Sequence, residues 1–475
     1  MNFIIYDLIF LFLFLLSVSI FLYKRRKNVK KEGILLLYRT KIGVSLIKKF
    51  GDKHKKLLNV LSYVSVITGI ILMISSLLLF FSVLKTYIFD KALISQIKVP
   101  PVMPLLPYVP QLFKMPNIPS FYFSYWIVSL AIVAITHEFS HGVFAINKGI
   151  KIKNTGFGFF PFFFPVFLAA FVELDEKKME RKKIFNQLSV LSAGTFSNIV
   201  LGILFLIILA VYFNFAFIQA GVNFDSYSYT IINSSQIQRI NNISLLSNNW
   251  NDALDLMNNQ SWNKILLKNN KTYLIDYKTF SAQEKNYENG YIVVYEDLDA
   301  INQNITGTII KVNGIEIKNV ESLANELSKY KEGDKIIITT FQDSYDRDYQ
   351  ITLRNNSLNN PSIGIGILQN KKSGIGNIVS SVFSFKEPNV YYKKRGEYSE
   401  FVYYLLWWIV LINFSVAILN MLPAGIFDGG RFFYLICLYF TKDKKKSEKI
   451  FKIMTLILLF GLFLMMTSWL INAIL

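Results

Sequence analysis

The sequence predicts a polytopic α-helical membrane protein: about six transmembrane helices with a re-entrant hairpin, plus an inserted α+β extracytoplasmic segment. Three observations carry this. The 475-residue chain is 52% hydrophobic and 16% aromatic, with a mean hydropathy of +0.36, which is too apolar for an ordinary soluble protein of this size. Six stretches, near 3–23, 58–84, 121–147, 187–213, 403–422 and 451–474, reach the ~20 mainly apolar residues that a membrane span needs. Between the fourth and fifth, from about 215 to 400, the composition turns to Asn, Ser, Tyr and Asp with alternating strand-like runs.

The charge pattern orients the spans. The net charge is +19, and much of the Lys and Arg falls in short loops at Lys24 to Lys31, Lys48 to Lys56, Lys177 to Lys183 and Lys442 to Lys449. That placement follows the positive-inside rule rather than a nucleic-acid groove, and no basic stripe with stacking aromatics argues for nucleic acid. Residues 3–23 lack a basic stretch before them and are followed by Lys24-Arg25-Arg26-Lys27, so they read as an anchor with its N-terminus outside rather than a cleaved signal. All four basic loops then lie inside. The chain is expected in the cell membrane as a multi-pass protein, with its N-terminus and the 215–400 segment outside the cytoplasm.

Along the chain, 1–84 holds two spans and a basic loop, and 121–213 the first part of a membrane core. Residues 155–174 are apolar but carry Gly156, Gly158, Pro161 and Pro165; they read as a re-entrant or membrane-edge hairpin, tolerable only where protein or a water-filled cavity satisfies the backbone. The outside segment contains a weak internal repeat: Ile237-Gln238-Arg239-Ile240-Asn241-Asn242-Ile243 resembles Ile309-Ile310-Lys311-Val312-Asn313-Gly314-Ile315. In the second copy a helix is expected over Val320 to Tyr330, a turn at Gly333-Asp334 and two strands ending near Leu353. Two similar small domains follow, at 215–297 and 298–370. Residues 401–475 complete the membrane core and add the last span. The single cysteine, Cys437, can form no internal disulfide and reads as packing.

Chemistry concentrates in two motifs. His137-Glu138-Phe139-Ser140-His141 lies toward the inner end of the third span and holds two of the chain's three histidines; His54, among lysines, reads as a surface residue. Residues four apart share a helix face, so His137 and His141 can grip one metal ion with Glu138 beside it. Two imidazoles and a carboxylate form a catalytic zinc shell with a fourth position for water; bound metal brings that water's pKa to about 7, and Glu138 can take its proton. Asp428 is the best third ligand. It sits in a broken apolar segment, after Pro423 and Gly425 and before Gly429-Gly430, where a carboxylate needs a cation. One Zn2+ per chain is expected. Asn420 can donate to a developing oxyanion or hydrogen-bond between helices. Asn198, in Ala193-Gly194-Thr195-Phe196-Ser197-Asn198, reads first as close helix packing and second as support for the site.

These residues resemble the site-2 protease family of intramembrane zinc metalloproteases, through the HExxH at 137–141, the Asn420-Met421-Leu422-Pro423 to Asp428-Gly429-Gly430 pattern and the Gly194/Asn198 segment. The resemblance covers about 121–213 and 401–440. It implies zinc ligation by His137, His141 and Asp428, Glu138 as general base, and substrates that are transmembrane or membrane-anchored proteins. Residues 305–367, with Val312-Asn313-Gly314, Gly333-Asp334 and Ile363-Gly364-Ile365, look like a PDZ domain. The resemblance thus implies PDZ-like extracytoplasmic domains with peptide ligands, 298–370 being the clearer copy and 215–297 PDZ-like or mixed. Phe427 stands where Leu is usual, Thr195 where Pro is usual, and the first copy lacks a Gly-rich carboxylate loop. A non-catalytic metal-binding transporter or scaffold is the rival; it would have no use for a base at Glu138.

Overall fold

In the computed structural model, the structure describes residues 3–32, 35–90, 94, 100–101, 105–113, 115, 118–161, 165–247, 249–355, 361–367 and 385–474. The chain forms two compact units, one of Met1–Val211 with Glu400–Leu475 and the other of Tyr212–Ser399.

The first unit is built on helices long and apolar enough to cross a membrane. Among the described residues there are six: Phe3–Lys24, Lys55–Phe89, Phe123–Asn147, Ile184–Ala216, Ser399–Asn420 and Lys444–Asn472. They coincide with the six stretches expected from composition. In hydrocarbon a spanning backbone must satisfy its own polar groups, and a helix does so within one segment. Where the helices pack, small residues let them approach: Ser65 and Ser192 share a 2.7 Å hydrogen bond between the second and fourth spans, and Phe432 is fully buried in the same cluster.

Two features of this unit escaped the sequence reading. The first is Asp7, an acid in the first span that is only 2% exposed. Its carboxylate accepts the Phe123 N–H at 2.7 Å, the Ser124 N–H at 3.0 Å and the Tyr108 O–H at 2.7 Å. It thus caps the third span from a neighbouring helix, supplying an acceptor for N–H groups that no intrahelical bond uses and a negative charge at the positive end of the helix. The second is a sheet. Hairpin strands do form, at Ile152–Pro161 and Pro165–Leu174, but they belong to a four-stranded antiparallel sheet with Val29–Glu32 and Leu35–Thr40. Of the residues read as part of a basic loop, Val29–Glu32 pairs with Leu35–Thr40, and Leu35–Thr40 in turn pairs with a strand more than a hundred positions away. The helix Val44–Lys53 follows and packs its buried Ile47 into the core beside Val143 and Ile152.

Among its described residues the second unit holds two main sheets. One runs, in order, Tyr229–Asn233, Tyr291–Glu296, Thr272–Ile275, Asn263–Leu267, Ile237–Ile240 and Ile243–Ser244. The other runs Tyr345–Thr352, Lys335–Gln342, Thr308–Val312, Phe217–Val222 and Val390–Lys394, with Ile315–Glu316 beside Thr308–Val312. The boundary expected at 297 does not separate the sheets cleanly: Phe217–Val222 and Val390–Lys394 pair with each other and complete the second sheet. That pairing joins strands far apart in sequence and leaves no local pattern to read.

The repeat is structural. In each copy a strand turns through two left-handed residues, Asn241 (φ 51) and Asn242 (φ 69) in one, Asn313 (φ 46) and Gly314 (φ 82) in the other, the geometry of a two-residue hairpin that favours Asn and Gly. The first Asn of each turn bonds a strand after the following helix. Asn241 N–H donates to the Lys264 carbonyl at 2.9 Å and its side-chain oxygen accepts the Lys264 N–H at 3.0 Å. Asn313 makes the same pair with Ile337, both at 2.8 Å. A helix capped by Asn follows each turn, Trp250–Asp255 capped by Asn249 and Val320–Leu327 capped by Asn319.

At the junction of the copies, Asp297 is pulled two ways. Burial raises its pKa, but hydrogen bonds from Asn302 (2.9 Å) and Lys264 with the Lys264 charge (3.3 Å), and from Thr272 (3.2 Å), outweigh this and hold it below the ordinary 3.8. A carboxyl depressed in the folded state contributes stability that is fully present above the unfolded pKa and is lost as pH falls through the folded value. Protection of the Asn263–Leu267 and Thr272–Ile275 amides in hydrogen exchange should therefore drop below about pH 4, and Asp297→Asn should flatten that dependence. Orientation has its own check. With Cys437 replaced by Ser, a cysteine at exposed Ser328 should react with an impermeant label from outside intact cells, and one at exposed Lys445 should react only after lysis.

Candidate metal centre

The site lies within the first unit, where three segments meet. The third span carries His137 and His141 on one face, both buried, 6% and 8% exposed. The fifth span ends at Asn420, the chain turns through 421–427, and a new helix, Asp428–Thr441, begins at Asp428. The fourth span passes behind the imidazoles.

The ligand atoms form a nearly equilateral triangle. His137 Nε2 and His141 Nε2 are 3.1 Å apart, and Asp428 Oδ2 is 3.2 Å from each. Ligands at the ~2.0–2.1 Å typical of zinc, set at tetrahedral angles, stand ~3.3 Å apart, so the triangle has the size such an ion requires. Glu138 is also near, since His137, Glu138 and His141 offer ligand atoms within 4.8 Å of one another. Its Oε2, however, accepts the Val172 N–H at 2.8 Å from the hairpin strand Pro165–Leu174. Asp428 closes the tighter triangle and Glu138 stands beside it.

The tautomers fit as well. His141 Nδ1 lies 2.7 Å from the Val190 carbonyl. A carbonyl only accepts, so Nδ1 carries the proton and Nε2 keeps its lone pair for a metal. His137 Nδ1 lies 3.0 Å from the Asn198 side-chain amide, whose Oδ1 is buried without a hydrogen-bond partner. With the amide turned so that Oδ1 faces the ring, Oδ1 accepts Nδ1–H and frees His137 Nε2 in the same sense. Asn198 thus orients a histidine. Asn420 Nδ2 sits 3.5 Å from His137 Nε2, at the edge of the triangle with its amide directed at the ligand position.

Gly194 has a stronger reason than helix packing. A Cβ there would lie 2.4 Å from His141 Nε2 and 2.5 Å from His137 Nε2, so only glycine leaves room for the imidazoles. Glu138, His141 and Asp428 line a cavity of about 590 Å³ together with Arg39, Glu173 and Arg431. All six residues singled out in the sequence, His137, Glu138, His141, Asn198, Asn420 and Asp428, come together here. Gly194 and the Val172 N–H join them. The glycine could be found from its place four residues before Asn198; the backbone group could not.

Fold and site define a polytopic membrane protein with a triangle of two histidines and an aspartate between its helices that is of a size to hold a metal ion. The family model described as Peptidase family M50 matches residues 125–465, and the chain belongs to that family. An uncharacterized protein of Methanocaldococcus jannaschii is 30% identical over 191 residues, which cover 39% of this chain and 46% of that protein; the chain spans about half the length of this curated relative. Among solved structures, the PDZ domain of an SdrC-like protein from Listeria monocytogenes matches at 22% identity with a TM-score of 0.14, over 15% of this chain and 78% of that one.

His137→Ala and His141→Ala should each strip stoichiometric zinc from the purified protein. Gly194→Ala should do the same while keeping both histidines. Metal analysis of the three proteins checks this, and full zinc in Gly194→Ala would contradict the close approach.

Proposed function

We propose that this protein is an intramembrane zinc metalloprotease that hydrolyses peptide bonds of transmembrane or membrane-anchored proteins, the chemistry of regulated intramembrane proteolysis. The observation that carries this reading is the placement of Glu138. A carboxylate that is not needed to close the ligand triangle is fixed 2.8 Å from a backbone N–H at the wall of the cavity that serves it. A transport or storage site needs ligands; an additional positioned carboxylate is what hydrolysis needs.

In this reading His137, His141 and Asp428 hold one Zn2+, which when bound supplies a Lewis acid and a water ionising near neutrality. Glu138 has Oε2 occupied by Val172, so Oε1 is the oxygen left to accept a proton from the attacking water and pass it to the leaving amine. Asn420 donates its amide to the oxyanion that develops on the scissile carbonyl. Asn198 and the Val190 carbonyl keep the imidazoles in the metal-binding tautomer. A helical substrate hides its carbonyls in its own hydrogen bonds and must be opened. The strand Pro165–Leu174 is the end strand of its sheet and can hold an opened segment by strand addition. The protein works in the cell membrane, with its N-terminus and the 215–400 segment outside the cytoplasm, and the PDZ-like domains there take peptide ligands.

Two substitutions separate base from ligand. Glu138→Gln should lower cleavage by ~10²–10⁴-fold, the usual loss for a positioned general base, with zinc content unchanged. Asp428→Asn should lose activity and zinc together, because an amide is a poorer ligand than a carboxylate. Comparing membrane proteomes of cells carrying wild-type or Glu138→Gln protein should reveal stabilised membrane fragments in the variant. Wild-type cleavage rates in Glu138→Gln would refute the hydrolytic reading.

A further inference from the structure

The bond between Glu138 and Val172 links two parts of the site that the mechanism otherwise uses separately. In the strand Pro165–Leu174, Val172 lies opposite Thr155, Phe171 opposite Gly156 and Ala170 opposite Phe157, with no register shift among these pairs. Because the Val172 N–H donates to Glu138, it points away from the partner strand. Outward-pointing backbone groups recur at every second residue of an antiparallel strand, so the N–H and C=O of Ala170 face the same outer edge. On its other side this strand pairs with Ile152–Pro161, and it is last in the sheet. Val172 also lines the cavity shared by Glu138, His141 and Asp428. The outer edge of this strand thus meets the site at Val172.

We propose that the Val172 backbone N–H is a positioning group that sets the register of cleavage. It anchors Glu138 to the substrate-binding edge, so that an extended substrate segment paired at Ala170 presents its scissile bond one residue pair further on, beside Glu138. This inference rests on the protease reading and on strand addition as the mode of binding. An N–H bonded only to satisfy the backbone would have no effect on turnover beyond its effect on the fold, whereas a positioning group acts on the chemical step.

The test uses the full-length protein in liposomes with a transmembrane substrate that the wild type cleaves. Replacing valine 172 by its α-hydroxy acid analogue changes the N–H to an ester oxygen and little else. Val172→Pro removes the same N–H, at an edge position where proline leaves the pairing intact. Both should reduce kcat by ~10²-fold, the scale of a small misplacement in an active site, with KM and zinc content near wild type. Ala170→Pro should instead raise KM and leave zinc in place. Wild-type kcat in the ester protein overturns the proposal. So does zinc loss in the ester protein, which would mean that the bond holds the fold. The wild-type rate, measured first, bears on the protease reading itself; the ratio of variant to wild type bears on this inference alone.

Discussion

The first unit is arranged around one constraint: two imidazole nitrogens and one carboxylate oxygen, from residues up to 291 positions apart in the chain, meet within about 3.2 Å. Such a cluster in an apolar interior is unfavourable unless a cation balances the acid and each remaining polar atom has a partner. The surroundings meet those terms one by one. Val190 and Asn198 take the far nitrogens of the histidines, Gly194 clears the space the rings occupy, and Asp7 fixes the far end of the helix that carries them.

The sequence made much of this legible because the signals were chemical and local. Two histidines four apart with a glutamate between need only helical periodicity to be read together. An aspartate amid Pro and Gly in an apolar run stands out because its solvation is poor. The six spans follow from length and composition alone. What stayed hidden was non-local. Leu35–Thr40 lies in a lysine-rich stretch, and its role as a strand depends on Ile152–Pro161. Asp7 could have been flagged as an acid within a span, yet its partners, the N–H groups of Phe123 and Ser124, are invisible without the fold. The same applies to Phe217–Val222 and Val390–Lys394, which meet only because the second unit brings its ends together.

The internal repeat shows how little sequence identity a shared fold needs. Asn241-Asn242 and Asn313-Gly314 have one residue in common, and the strands around them differ. Both turns require positive φ at two successive residues, and Asn and Gly tolerate that conformation. Both also use the first Asn to bond a strand 23 or 24 residues on, with its own N–H and its side-chain oxygen. The side chain thus closes a loop around the intervening helix. Asn at that position is favoured by geometry on two counts, and the weak similarity coincides with matching turns.

The two kinds of structure in the membrane unit solve different problems. Helices carry the triangle, because the 3.6-residue period stacks His137 over His141 on a rigid frame. A helix offers no free backbone groups along its length, however, and cannot grip another chain by its peptide bonds. A sheet edge does exactly the opposite: its outward N–H and C=O groups are unpaired at every second residue, which in a soluble protein invites aggregation. In the proposed function, setting such an edge beside the helix that carries His137 and His141, and tying the two with one hydrogen bond from Val172 to Glu138, would put a peptide-binding surface and a proton acceptor in fixed relation. In the proposed reaction the energy of opening a substrate helix is offset by backbone bonds to that edge. The opened segment then lies where its carbonyl is exposed, so unwinding and attack occur at one place.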